Sequence, residues 1–445
     1  MVSRRFPNLR LLATATVFGV AGCGETGPSD QVGAQSGPAA AEVVEAHALP
    51  RARPLMDRVF ERTPARLQRG RYLAENALWC VLCHSERDTS TAGGPPLPGK
   101  KMAGRVLWDE DGSRMVAPNL TPDSATGAGA WPDDALARAI REGVGHDGRA
   151  LAPPMRWERY RILSDEDVAS IVVYLRSLPP VENPLPARSL PPERLEEIAR
   201  RPQPLLEPVP EPDFSDPVER GRYLIHLADC VGCHTSWYTD RIPGAFSGGN
   251  KIAGVFSTNI THDSSGIGGW NPTTFVQVLR TGKGGTLDLA MPWIAFGGMT
   301  DADLEAIYRA LGTAPRIPHW IDNTSPPTYC AVCGQMHGLG ELNDAGPFAA
   351  VSVSEPVLAA YEGRYVGSHV WEAKDDTVEM RLRDGVLWAI STDPDEEPQK
   401  MVPLSERRFY VPGWGEQIEF QTESGGPVRG YRSRFGLYDT TYERR

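Results

Sequence analysis

The sequence predicts an all-α tandem repeat followed by a small all-β, barrel-like domain. Three observations predict it. Arg69-Gly70-Arg71-Tyr72-Leu73 returns 151 residues later as Arg220-Gly221-Arg222-Tyr223-Leu224, and further motifs follow both copies in the same order. Each copy ends in a segment with helical apolar spacing, Val168, Ile171, Val172 and Leu175 in the first and Leu304, Ile307 and Leu311 in the second. After Pro347 the chain turns to short runs of alternating apolar and polar residues separated by turns.

The 445 residues are enough for about three domains. With 40% hydrophobic and 23% charged residues a packed core can form, while 40 prolines and 45 glycines indicate loop-rich domains. The net charge of −11 disfavours nucleic acid as a partner and suits contact with a basic protein. Arg4 and Arg5 precede an apolar run from Leu11 to Val20 that is too short to span a bilayer, the pattern of an export signal. Its end, Val20-Ala21-Gly22-Cys23, resembles the lipobox of bacterial lipoproteins, which implies a signal peptide over 1–22, a lipidated Cys23 and a periplasmic chain held to a membrane by its lipid. The same residues also fit an ordinary export signal with a chance cysteine. Residues 23–54 are small, polar and proline-dotted, the composition of a flexible tether.

The seven cysteines are sorted by their local contexts. Cys80-Val81-Leu82-Cys83-His84 and Cys230-Val231-Gly232-Cys233-His234 are both C-x-x-C-H. Such a frame attaches a haem through two thioethers and offers the histidine to its iron. On a helical turn, residues three apart share a face and can reach two vinyl groups of one porphyrin. One copy could be a disulfide or half a zinc site; two copies in repeated surroundings predict two covalently bound haem c groups. The repeat continues through Asn119-Leu120-Thr121-Pro122-Asp123 and Asn259-Ile260-Thr261-His262-Asp263, then Trp131 and Trp270. It also places Met155 and Met291 136 residues apart, the spacing of Asp165 and Asp301 at the start of the last helices. These methionines are expected as the sixth iron ligands, in the His/Met pair of electron-transfer cytochromes. Asn119, Asn259, Trp131 and Trp270 are candidates to hydrogen-bond haem propionates. His146, without a counterpart in the second copy, reads as a surface residue.

On these residues, with Leu163-Ser164-Asp165-Glu166-Asp167, the chain over about 64–316 resembles the cytochrome c fold. More narrowly it resembles the cytochrome c subunits of bacterial alcohol and gluconate dehydrogenases. The resemblance implies tandem cytochrome c domains at 55–190 and 191–318. It also implies redox partners: a dehydrogenase on one side, a soluble cytochrome or terminal oxidase on the other. Those subunits typically hold three haems, whereas this chain shows two such frames.

Cys330-Ala331-Val332-Cys333 lies in a linker at 319–347 and is followed by Gly334, not histidine. Three readings are open: a short-loop disulfide, which an oxidising compartment favours; a Cys₂His₂ zinc site with His319 and His337; and a degenerate third haem held through His337. In the last domain, 348–445, Asp384-Gly385 between alternating runs signals a hairpin. Together with Tyr361-Glu362-Gly363-Arg364-Tyr365 it resembles the small β-barrel appended to some periplasmic hydrolases. The module shows no nucleophile and base pair, so binding, docking or a structural cap is expected there. For the whole chain three functions compete: an electron carrier, which needs both methionines on iron; a dihaem peroxidase, which needs one open iron; and a redox sensor or docking scaffold built on the barrel.

Overall fold

The computed structural model describes residues 52–445 apart from 92, 111, 237–243, 253, 283–289, 347–348, 369–374, 393–395 and 423–425. Cys23, the export signal and nearly all of the tether lie outside the described residues. The first copy opens with α1 (Pro64–Tyr72), capped by the Thr63 side chain, and passes through a π-helical turn (Leu73–Ala77) to α2 (Cys80–Cys83). A hairpin follows, β1 (Arg105–Glu110) and β2 (Ser113–Ala117), then α3 (Asp133–Glu142), α4 (Trp157–Tyr160), α5 (Asp165–Ser177) and α6 (Pro192–Arg200). The second copy repeats the plan with α7 (Pro217–Leu227), α8 (Cys230–His234), a short hairpin of β3 (Lys251–Ile252) and β4 (Val255–Phe256), α9 (Pro272–Thr281), α10 (Trp293–Phe296) and α11 (Asp301–Leu311). Ser164 and Thr300 cap α5 and α11 in the same way, each side chain accepting from the backbone N–H three residues on.

Each copy therefore carries a β-hairpin and long irregular segments, which corrects the expectation of all-α domains. Apolar periodicity reveals only elements that pack along a face. The cavity-lining stretches are shaped by loop hydrogen bonds, which leave no periodic trace.

The packing centre of each copy is a helix crossing, α1 on α5 and α7 on α11, and it depends on the repeated glycine. A Cβ on Gly70 would stand 1.8 Å from the carbonyl oxygen of Ser170, and one on Gly221 2.0 Å from that of Ala306. The two copies then share one hydrophobic core that joins Leu73, Leu78 and Ile171 to Leu224, Leu227 and Ile307. Two reciprocal contacts cross the boundary. The Tyr72 hydroxyl donates to Asp303, and the equivalent Tyr223 hydroxyl donates to Asp167 at 3.0 Å. Each carboxylate is also held by its own copy's arginine: Asp167 by Arg69 at 2.7 and 2.9 Å, Asp303 by Arg220 at 2.5 Å. Nearby, the buried carboxylate of Asp229 pairs with Arg156 and with Arg159 (3.0 Å) of the first copy. Helix α6 packs back on the first copy through Ile198, beside Met115, Ala150 and Ala152.

Beyond α11 a small lobe is built on β5 (Asp322–Tyr329) and β6 (Met336–Gly338). After α12 (Glu355–Ala360) come β7 (Gly363–Ser368), β8 (Asp375–Arg383), β9 (Val386–Ser391), β10 (Gln399–Lys400), β11 (Val402–Pro403), β12 (Arg408–Val411), β13 (Glu416–Thr422), β14 (Val428–Phe435) and β15 (Tyr438–Arg444). They form one antiparallel sheet in the order β10-β9-β8-β7-β15-β14-β13-β12-β11. Its two edge strands are consecutive in the chain with only the buried Met401 between them, so the sheet curls into a nearly closed barrel. The β8–β9 turn is made by Asp384 and Gly385, both at positive φ (49° and 72°), as the Asp-Gly pair predicts. Aromatic rings fill the interior, with Tyr361 stacked on Phe420 and Tyr431 on Tyr442. Among the described residues no helix is long and apolar enough to cross a membrane.

Two stability outcomes follow from these contacts. Because backbone stands in the way, Gly70→Ala and Gly221→Ala each lower stability by about 3 kcal/mol or more, the upper end of overpacking costs. Gly269→Ala, where a Cβ meets nothing within 4 Å, serves as the neutral control in the same thermal unfolding series. Asp229→Asn leaves Arg159 without its carboxylate and costs about 3 kcal/mol, as breaking a buried pair does. Calorimetry reads that loss as a lowered unfolding temperature of the variant.

Candidate functional site

Each C-x-x-C-H segment enters its short helix through a left-handed residue, Trp79 (φ 44°) in the first copy and Asp229 (φ 55°) in the second. This sharp entry turns both cysteines toward one cavity. Cys80, Cys83 and His84 line a cavity of about 560 Å³ together with Met155 and Trp131. Cys230, Cys233 and His234 line a second of about 250 Å³ with Met291 and Trp270. The predicted ligands of each site are thus brought together in both copies.

The histidines are oriented by backbone. His84 Nδ1 donates to the carbonyl of Pro118 at 2.9 Å, and His234 Nδ1 to that of Thr258 at 2.7 Å. With Nδ1 occupied, Nε2 keeps its lone pair for a ligand in the cavity. Burial pushes both imidazoles toward the neutral form, the one that binds metal. The loop beyond each histidine returns through matching bonds, Gly104 N–H to His84 O at 2.8 Å and Gly248 N–H to His234 O at 2.7 Å. Burial raises the Cys80 and Cys230 thiols to about 12, so both stay protonated at neutral pH. Such thiols are poor metal thiolates or nucleophiles and are available for thioether attachment. Two thiols, a fixed imidazole, thioether sulfur and apolar walls fit a covalently bound haem c.

Other details were outside the reach of the sequence. Met115 lines the first cavity beside Met155, and Met299 the second beside Met291. No motif marks them, and only the matched spacing of Met155 and Met291 separates the two pairs. Asn119 and Asn259 do not offer their amides to the cavity: Nδ2 of each donates to a backbone carbonyl, Val181 O or Ile317 O, at 2.7 Å, and Oδ1 accepts from Thr121 or Thr261. Their expected role toward propionates is corrected to that of clamps on the segment after the last helix. Trp131 and Trp270 line their cavities, and the exposed His146 stacks on Trp131 with ring centroids 3.9 Å apart. Arg156, next to Met155, lies over the Trp79 ring and pairs with Asp229, next to Cys230, so the walls of the two cavities are linked directly.

The third cysteine pair is arranged differently. Cys330 and Cys333 are unbonded in this structure, and a histidine faces each sulfur. His337 Nε2 lies 3.3 Å from Cys333 Sγ, and the ligand atoms of His319, Cys330, Cys333 and His337 all lie within 4.8 Å of one another. At Cys330, hydrogen bonding from Cys333 and then from the two histidines holds the thiol far below its ordinary range, opposite to the haem-pocket cysteines.

Comparison with known proteins agrees with this geometry. The cytochrome c family model matches residues 67–179. The chain is 32% identical over 381 residues to the gluconate 2-dehydrogenase cytochrome c subunit of Pantoea cypripedii, covering 78% of each chain. It is 32% identical over 270 residues to the fructose dehydrogenase cytochrome subunit of Gluconobacter japonicus, of which it spans about half (52%). It is also 30% identical over 169 residues to a diheme cytochrome c-type protein of Cereibacter sphaeroides, covering 36% of this chain and 55% of that one. With its two C-x-x-C-H cavities and this extent of similarity, the chain belongs to the family of cytochrome c subunits represented by that of gluconate 2-dehydrogenase.

Proposed function

We propose that the chain is an exported, lipid-anchored two-haem electron carrier. In this reading it takes electrons from a partner dehydrogenase and passes them to a soluble cytochrome or terminal oxidase. The observation that carries the proposal is the pairing, in two adjoining cavities, of a backbone-fixed imidazole with a thioether at matched positions: His84 with Met155 and His234 with Met291. The relatives, cytochrome subunits of fructose and gluconate dehydrogenases, support a dehydrogenase as donor. Location and anchoring rest on Arg4-Arg5, the apolar run and Cys23.

Haem bound in each cavity supplies a one-electron couple. The protein contributes the rest. His84 and His234 are held neutral and aimed by Pro118 and Thr258, Met155 and Met291 supply sulfur, and apolar walls keep water from the centres. A soft thioether ligand and low polarity would both favour a raised reduction potential of bound haem. The Trp79, Arg156 and Asp229 contacts hold the two cavities at a fixed separation, as transfer between them requires.

The test is optical and magnetic spectroscopy of the purified, haem-loaded chain. The proposal expects two haems per chain by pyridine haemochrome assay, both low-spin, with the long-wavelength band of sulfur ligation and no turnover of peroxide. Met155→Ala and Met291→Ala are each expected to remove about half of that band and lower one of two potentials, because each deletes one candidate sulfur ligand. Met115→Ala and Met299→Ala leave the band in place. A high-spin haem with rapid peroxide turnover in the unmodified protein would instead establish the peroxidase reading.

A further inference from the structure

We infer that His319, Cys330, Cys333 and His337 form a closed, structural zinc site that fastens the lobe after α11 to the wall of the second haem cavity. The four ligand atoms lie within 4.8 Å of one another, and all four residues are at most 1% exposed. Cys330 Sγ is 3.6 Å from His319 Nε2, and Cys333 Sγ is 3.3 Å from His337 Nε2. Zn–S bonds of about 2.3 Å and Zn–N bonds of about 2.0 Å at tetrahedral angles put S and N about 3.5 Å apart. Two sulfurs and two nitrogens in that arrangement select zinc among the common divalent metals.

The surroundings are those of a ligand set. His319 Nδ1 donates to Ser247 O at 2.9 Å and His337 Nδ1 to Gly338 O at 3.1 Å, which turns both Nε2 lone pairs toward the thiols. The Cys333 N–H points to Cys330 Sγ at 3.4 Å, and the loop is closed by Gly334 N–H to Cys330 O at 2.8 Å. Both sulfurs bind as thiolates, any proton still held at the site leaving to solvent, and the two thiolates neutralise the dication without any change of oxidation state. Four protein ligands leave no position for water or substrate, so the site is structural rather than catalytic.

The first copy provides an internal control. His319 stands where Asn183 stands in the repeat. The backbone N–H of Asn183 donates to Thr126 Oγ1 and that of His319 to Ser265 Oγ, both at 2.8 Å. The Asn183 side chain donates to Ala103 O at 2.8 Å, and the His319 ring donates to the equivalent Ser247 O. The tether to the loop beyond the haem histidine is thus met by an amide in one copy. In the other it is met by an imidazole whose second nitrogen faces two thiols that the first copy lacks. Gln335 to Gly249 O and Asn323 to both backbone groups of Phe256 then stitch the lobe to the β3–β4 hairpin, which leads to Thr258 and hence to His234.

The test is metal analysis of the full-length, haem-loaded protein, with chains counted by amino-acid analysis so that the result stands apart from haem content and electron transfer. About one zinc per chain is expected. His319→Asn copies the first-copy solution, so it is expected to keep the fold and the haem spectrum while its zinc affinity falls at least about tenfold. Cys333→Ser is expected to lose the metal as well. The inference is overturned by a Cys330–Cys333 disulfide in the intact mass of the isolated protein. It is equally overturned by reduced thiols that take up no added zinc ion, or by zinc retained undiminished in both variants.

Discussion

Each copy is organised around one hydrogen bond, from the Nδ1 of the haem-motif histidine to a backbone carbonyl. The histidine follows directly on the helical turn that carries the two cysteines, so its ring position is already set within a residue or two. The bond to Pro118 O or Thr258 O fixes what remains, the rotation of the ring and the choice of tautomer. To supply that carbonyl, the chain must leave the C-x-x-C-H helix, form a hairpin and return beside it. The return is secured by Gly104 and Gly248 on the histidine carbonyls and by Leu120 and Ile260 on the backbone of Met102 and Phe246. Asn119 and Asn259, just beyond, bind the exit from the last helix. One imidazole orientation thereby ties together the motif helix, the hairpin and the chain after α5 or α11.

Between the copies the same economy appears as pseudo-symmetry. Tyr72 reaches Asp303 as Tyr223 reaches Asp167, and each aspartate is the residue its own arginine already holds. A buried carboxylate with two or more donors is well compensated, whereas one with a single donor is not. The two copies are therefore interdependent: separating them would strip a partner from both buried aspartates at once. The Arg156 and Asp229 pair breaks the symmetry, since Trp79 occupies in the first copy the entry position that Asp229 occupies in the second. A ring takes the guanidinium face on one side and a carboxylate its charge on the other.

The cysteines and histidines gathered in each cavity were legible in the sequence because covalent haem attachment demands a fixed local spacing, and the placing of Met155 and Met291 in the same cavities because the repeat supplied a second measurement of the same position. The capped helices α5 and α11 and the Asp384-Gly385 turn were legible for local reasons too. The hairpins β1–β2 and β3–β4 were not, because they face a cofactor cavity rather than a regular core face and carry no alternation. The roles of Asn119 and Asn259 were not legible since an amide in a repeated loop can face either a cavity or a carbonyl, and only the fold shows each donating to a carbonyl. His319 is different in kind. The 136-residue offset that pairs Met155 with Met291 also pairs Asn183 with His319, so the sequence held the signal that this histidine replaces a structural amide.

The barrel completes the picture of how unequal the two copies are. The tip of its β14–β15 hairpin, Phe435, Leu437 and Tyr438, packs into the shared core with Leu227, Ala228 and Val231 of the second copy. Gly436 turns there at φ 58°, and a Cβ on it would come within 2.7 Å of the ring of Phe246, the residue whose carbonyl holds Ile260. The second cavity is therefore braced by the first copy at Asp229, ahead of the haem motif, and by the histidine–cysteine lobe and the barrel at Ser247, Gly249 and Phe246 in the loop between His234 and Thr258. That segment spans 24 positions, against 34 from His84 to Pro118, and among the described residues its hairpin is a ladder of two residues on each side. A two-residue ladder resists movement little by itself, so the rigidity of this hairpin comes from its neighbours. The parts that distinguish this chain from a bare pair of cytochrome domains are the parts that supply it.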